Sequence, residues 1–311
     1  MRSSDSPSSR SLSHAAWARL RRNRAALFGL IVALTMLLTG LFAPVLAPHS
    51  YSDQNLDAVE APPSLQHPFG TDELGRDMLS RVIWGARTAS LVAVVVMAIT
   101  VSLGLLLGAA AAYLGGWVDT VVMRTCDLLF AFPGMLFALF VAATVKPTVL
   151  EVVKGWEATL GWRGLTSMGL VDYLVVLMAL SLIGWPGMAR LVRGQVLSLR
   201  EKEFVEAARA MGASDWRIIR KHLLANALGP IIVAISLGMG GTILSESTLS
   251  FLGIGIQPPF PSWGAMIYEN YSFWRTTPHL VLVPGGVLAL VVFAFNFLGD
   301  GLVDALNPRR Q

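Results

Sequence analysis

His67, Asp72, Glu73 and Asp77 fall within one short stretch, HPFGTDELGRDMLSR, and an acid cluster beside a histidine is a set that can hold a metal ion. Arg76 and Arg81 alternate with these carboxylates and can pair with them locally, so charge pairing is the preferred account and no metal ligand is assigned. Asp119, Arg124 and Asp127 form a second group, in which Arg124 can pair with a carboxylate on either side and the role is structural. Glu246 stands alone in an apolar run, on the order of 6 Å below its end at helical rise. A carboxylate left unpaired against lipid is costly, so Glu246 should face the interior of a helix bundle. There it either holds a neighbouring helix or faces a substrate path. No catalytic constellation emerges: HExxH, CxxC and GxSxG are absent, as is the G-x-x-x-x-G-K-[ST] phosphate loop. Gly253-Ile254-Gly255 is followed by Ile-Gln-Pro and is no dinucleotide fingerprint.

The elements that must position these groups are set by composition. Hydrophobic residues make up 54% of the 311 residues and charged ones 14%, with a mean hydropathy of +0.60, which describes an integral membrane protein. The sole cysteine, Cys126, can form no disulfide within the chain. Six apolar runs are long enough to cross a hydrocarbon core, at about residues 25–46, 89–114, 118–145, 173–189, 228–250 and 280–298. The first is too long for a signal peptide and has Pro48 where a cleavage site would lie, so it is a retained span. Pro133 predicts a kink in the third run. The fourth is the shortest, with Gly184, Pro186 and Gly187 near its end. The sequence thus predicts an all-α polytopic membrane protein with six transmembrane helices.

Lys and Arg concentrate on one side of this arrangement. The leading tail carries Arg2, Arg10, Arg19, Arg21, Arg22 and Arg24, Arg124 follows the second span, and Arg309 and Arg310 close the chain. Between the fourth and fifth spans lie Arg190, Arg193, Arg200, Lys202, Arg209, Arg217, Arg220 and Lys221. The positive-inside rule places both termini and this connection in the cytoplasm. Topology therefore accounts for the net charge of +4, and nucleic acid is not needed as a partner.

Three segments fall on the opposite side. In the first, residues 49–87, the apolar residues Met78, Leu79, Val82, Ile83 and Ala86 recur at helical spacing from Asp77 to Arg87. Arg76, Ser80, Arg81 and Arg87 occupy the other face, predicting an interfacial helix that leads into the second span. In the second, 146–172, Trp156 and Trp162 suit a headgroup anchor, or a surface that touches a delivered substrate carrier. In the third, 251–279, Pro258, Pro259 and Pro261 exclude a helix, and a packed loop capping the outer mouth is expected.

The connection at 203–226, EFVEAARAMGASDWRIIRKHLLAN, is a charged, helix-prone island between apolar runs. Gly212 interrupts it, and Ser214 or Asp215 can cap a second helix beginning at Trp216. Helix, glycine break and helix make a projecting elbow. Glu206-Ala207-Ala208, three residues and then Gly212 resembles the EAA loop of ABC importer membrane subunits, although Leu224-Ala225 stands where the pattern has Leu-Pro, so the second helix can run on without a kink. FGTDELGRD with the following SR and GAR, SFLGIGIQPPFPSWG, GGWVD at 115–119 and NFLGDGLVDALNPR resemble the permeases of dipeptide, oligopeptide and nickel importers.

This resemblance implies a type I ABC importer permease of MetI-like fold. A cytoplasmic tail at 1–24 would precede a first span and external segment at 25–86. A permease core at 87–304 would contain the coupling loop, and a cytoplasmic tail at 305–311 would follow. Glu203, Glu206, Ala207, Ala208, Gly212, Ala213, Asp215 and Trp216 would form the loop that docks on an ATPase. Glu246, Gly238, Gly241 and Pro133 are the pore or gate candidates, with Gly240 beside them permitting close helix approach. The implied partners are a homologous second permease, two ATPase subunits and a periplasmic or lipid-anchored substrate-binding protein. That protein would deliver a di- or oligopeptide, or a nickel-type ligand, at the bacterial inner membrane. ATP and Mg would sit on the ATPases, with no cofactor and no catalytic residue on this chain. An ion-coupled secondary transporter is the competing class, but its midplane sites need ionisable groups that these runs lack. A scaffold without a pore is the third.

Overall fold

The structure, a computed structural model, describes residues 17–161 and 164–306, so Arg2, Arg10, Trp162, Arg309, Arg310 and the last residues of the closing motif lie outside it. It is helical, with only an isolated bridge between Thr71 and Asp77 and no strand among the described residues. Among the described residues, six helices are long and apolar enough to span a bilayer.

Helix α1 (Arg24–Leu41) starts at Asn23, whose side chain accepts the Ala26 N–H. An irregular segment leads to Asp77, whose carboxylate caps α2 (Met78–Leu114) by accepting the Ser80 N–H at 2.7 Å. Gly115 ends α2 at a positive φ and α3 (Gly116–Phe130) follows; after a break come α4 (Gly134–Leu160) and α5 (Leu170–Arg200). The elbow comprises α6 (Glu203–Ala210) and the start of α7 (Asp215–Phe251), whose residues Ile218–Leu224 are π-wound. Two helices close the chain: α8 (Trp263–Asn270) and α9 (His279–Leu306).

Lipid offers little drive for two apolar helices to associate, so close packing of small residues has to supply it. The most extensive helix pair, α2 with α5, shows this. A Cβ on Gly104 would lie 2.3 Å from Met188 Cγ, and one on Gly108 would lie 2.4 Å from the Ala189 carbonyl oxygen. The two backbones therefore meet where only glycine fits. At one end α1, α2, α8 and α9 pack around Trp263; at the other α2, α5, α6 and α7 pack around Val205, Ile218 and Leu223.

Five expectations are corrected. The segment 251–279 is not free of helix: α8 (Trp263–Asn270) begins two residues after Pro261, since the prolines bar a helix only where they stand and not beyond them. The third crossing is not a kinked helix but two helices separated at residues 131–133, with Pro133 at the cap of α4. Proline disfavours helical geometry in the residue before it, and Phe132 leaves the helix there. The fourth span is not short: α5 continues through Pro186 to Arg200, because Arg190 and Arg193 find carboxylates on α3 and Arg200 donates to the Ala112 carbonyl at 2.9 Å. The helix from Asp77 is no separate interfacial piece but the first turns of α2, and most of its polar face is not wet: Arg76, Ser80 and Arg81 are buried, while Arg87 is exposed. Finally, Asp119 and Asp127 pair with Arg193 and Arg190 of α5 rather than with Arg124, since α5 presents a guanidinium fork to Asp119 and a single N–H to Asp127.

Candidate coupling elbow and membrane recess

The elbow is built by local backbone chemistry. Glu203 and Glu206 sit in the first turn of α6 and Arg209 in its last, the charge order that a helix dipole favours. The helix ends in a Schellman arrangement, with the Gly212 N–H on the Arg209 carbonyl at 2.9 Å and the Ala213 N–H on the Ala208 carbonyl at 3.0 Å. Gly212 adopts φ +78°, a conformation costly for a residue with a Cβ, although open space surrounds it. Ser214 occupies the cap position and α7 begins at Asp215, one residue before the sequence expectation. With alanine at position 225, α7 continues without a break through Phe251.

The faces of the elbow divide cleanly. Val205 and Ala208 are buried against the bundle; Glu203, Glu206, Ala207, Asp215 and Trp216 are exposed, and Ala213 is half-buried. Ala208 therefore holds the elbow in place, while Glu203, Glu206 and Ala207 face outward. Met211 is 81% exposed and Trp216 66%, flanking the glycine turn with large apolar side chains. Asp215, though exposed, accepts a hydrogen bond from the Tyr113 hydroxyl near the end of α2, and Arg200 braces the approach. The result is a projecting tip of three exposed carboxylates and large apolar side chains on a fixed base.

A recess of about 370 Å³ lies between α2, α5 and α7. Gly238 and Gly241 line it with Met97, Thr100, Gly187 and Met188, and no ionisable side chain reaches it. Gly240 instead packs against Phe295 of α9. Pro133 is exposed at the break before α4, beside a smaller recess formed by Phe130, Phe132, Gly134, Ile183 and Ser245.

Glu246 lines neither recess. It is 1% exposed, and its carboxylate accepts from the Ser250 hydroxyl at 2.8 Å and the Ser247 hydroxyl at 3.3 Å. Ser250 Oγ in turn accepts the Ile256 N–H at 3.0 Å, so this group organises the loop after α7. The structure brings Glu246 to that loop and Gly238 and Gly241 to the recess.

The end of the molecule away from the elbow is held by charge. Asp72 pairs with Arg76 at 2.7 Å and with Arg81, and Glu269 of α8 accepts from both arginines at 2.9 Å. All four groups are buried or nearly so. Glu73 stays exposed, and His67 Nδ1 lies 2.9 Å from Asp77. Sequence reading anticipates the pairing of Asp72 with the arginines but not Glu269, which lies 193 residues from Arg76 and leaves no local spacing to detect. Lys146 pairs with Asp172 at 2.7 Å, which levels the middle of α4 with the start of α5, and α4 continues past it to Leu160.

Comparison with known proteins fits this architecture. Residues 102–311 match the family described as binding-protein-dependent transport system inner membrane component, and residues 11–63 match the N-terminal TM domain of oligopeptide transport permease C. The dipeptide transport system permease protein DppC of Bacillus subtilis is 39% identical over 99% of this chain and 90% of its own length. That of Alkalihalophilus pseudofirmus is 38% identical over 95% and 90%. The glutathione transport system permease protein GsiD of Escherichia coli is 38% identical over the same shares. A chain from an inward-facing structure of the MetNI methionine ABC transporter superposes with a TM-score of 0.54 at 18% identity, covering 74% of this chain and 98% of that one, a likeness of fold. Six apolar helices and these relatives make this a multi-pass inner-membrane protein, and the family works in transporter complexes with ATPase and substrate-binding partners. The chain belongs to the family of binding-protein-dependent transport system inner membrane components, the permease subunits of ABC importers.

Proposed function

We propose that this chain is one half of the translocation pathway of an ATP-driven importer of di- or oligopeptides. The observation that carries the reading is the elbow: a glycine-turned tip with outward Glu203 and Glu206, fixed to the bundle by Val205 and Ala208 and continuous with α7. The dipeptide and glutathione cargoes in the names of the relatives support a peptide substrate. The recess between α2, α5 and α7 supplies pathway wall through Gly238 and Gly241. Its lack of ionisable groups disfavours an ion-coupled carrier.

In this reading both termini and the elbow are cytoplasmic and Trp156 and Pro259 external, as the placement of basic residues supports. ATP and Mg are bound and turned over by two separate ATPase subunits, and this chain contributes no catalytic group. One elbow provides one docking point, whereas a pair of ATPases closing around two nucleotides needs two. The second is assigned to a distinct, homologous permease, and a substrate-binding protein delivers cargo at the external face.

Proteoliposomes holding the complete assembly should take up labelled dipeptide only with ATP and binding protein, and collapse of the proton gradient should leave the rate unchanged. Gradient-driven uptake without ATP would overturn the reading. Single cysteines at Gly212 and Pro259, in a Cys126→Ser background, should react with an impermeant thiol reagent from opposite faces.

A further inference from the structure

We propose that His49, His67 and Asp77 form a binding site for one divalent transition-metal ion, zinc, nickel or copper in type, at the end of the molecule away from the elbow. One ligand atom from each residue lies within 4.8 Å of the other two. A tetrahedral ion with bonds of about 2.0–2.2 Å holds its ligands about 3.4 Å apart, so an inward turn of His49 closes the set. His49 is the exposed member and has that freedom; Asp77 is 2% exposed and fixed.

His49 and Asp77 are already oriented by neighbours outside the set, as metal ligands are. His49 Nε2 lies 3.2 Å from the Gln66 carbonyl oxygen, which can only accept, so the proton is on Nε2 and the lone pair on Nδ1. The His49 N–H is further tied to Ser80 Oγ at 3.0 Å. Asp77 Oδ2 accepts the Ser80 N–H, which leaves Oδ1 facing His67 Nδ1 at 2.9 Å across a single shared proton. An incoming ion displaces that proton and is met by two imidazoles and a carboxylate. The rings of His49 and His67 are 5.0 Å apart, tilted by 37°, and open on a cavity of about 410 Å³ that Asp53 and Asn55 also line. Water from this cavity completes the coordination. Two imidazoles select a borderline metal over calcium or magnesium.

The site joins the chain just after α1 to the cap of α2, closing the irregular segment between them. It shares no lining residue with the recess between α2, α5 and α7. The test uses the full chain in lipid nanodiscs, purified on a tag without histidine, stripped with chelator and titrated with Zn²⁺. The expected result is one ion retained per chain after desalting, with affinity reduced at least tenfold in His49→Gln and unchanged in His222→Gln. A Co²⁺-loaded sample should show the visible absorption of a tetrahedral nitrogen and oxygen site in the wild type and lose it in His49→Gln. His49 is exposed, so its substitution leaves the fold intact. No retained ion in the wild type, or equal retention by His49→Gln, overturns the proposal.

Discussion

The two ends of this molecule handle charge in opposite ways. At the elbow, Glu203, Glu206, Arg217 and Arg220 are exposed, and the surface is finished with Met211 and Trp216. At the other end, Asp72, Arg76, Arg81 and Glu269 are withdrawn from solvent and neutralise one another across distant parts of the chain. Charges kept wet remain available to a partner, whereas a buried pair costs desolvation and gives in return a fixed geometry when every member is satisfied. The comparison separates a surface left open to a partner from a surface that is closed on itself. Substitution at the first should therefore change activity with little change in stability, and at the second the reverse.

The largest effect is expected at the buried cluster. Arg81→Leu leaves Glu269 and Asp72 short of one cationic partner in a buried site, and breaking such a pair costs about 3–5 kcal/mol. Thermal unfolding followed by size-exclusion in detergent should show a marked drop in midpoint, and an unchanged midpoint would remove the contrast between the two ends. Next comes the elbow. Glu206→Lys reverses an exposed charge, so the midpoint should move by less than about 0.5 kcal/mol equivalent. Uptake and recovery of ATPase subunits with the purified chain should nevertheless fall at least tenfold. Gly212→Asp should act likewise, with an added cost of about 1–2 kcal/mol for a left-handed residue. Wild-type uptake in both variants would deny the elbow its role. The smallest effect is Tyr113→Phe, which removes the hydrogen bond to Asp215 and should cost about 0.5–1.5 kcal/mol or less. Its use is to sharpen the contrast: uptake falling while ATPase recovery holds would mean that the brace matters for transmission rather than docking.

The same contrast governs what sequence could disclose. The elbow was legible because its chemistry is local: a run of helix formers, one glycine that must turn, and a second helix beyond it are all read within 24 residues, 203–226. The fate of Ala208 was not, because its burial depends on α2 and α7, which reach it from elsewhere in the chain. At the other end, periodicity located the helix from Asp77 but assigned Arg76, Ser80 and Arg81 to water. A helical pattern reports which residues share a face, and it does not report what covers that face. Glu269, which turns the face inward, is 188 residues from Arg81. The apolar runs were legible as crossings, yet hydropathy could not see α5 running on to Arg200, since its arginines count as polar until Asp119 and Asp127 meet them.

The unbroken course of α7 has a mechanical consequence. At helical rise its 37 residues make a rod about 55 Å long, so a tilt of about 5° sweeps one end through about 5 Å relative to the other. Its irregular points, the π-wound turn at Ile218–Leu224 and Pro230, both lie toward the elbow end, while the stretch from Ile231 to Phe251 is regular helix. Compliance would thereby be concentrated beside the elbow, and under the proposed coupling the remainder would move as a stiff lever. Gly238 and Gly241 ride on its middle and Glu246, with the loop it secures, on its far arm. A single swing about a fulcrum against α2 and α5 would reshape the recess and shift that loop in the same stroke.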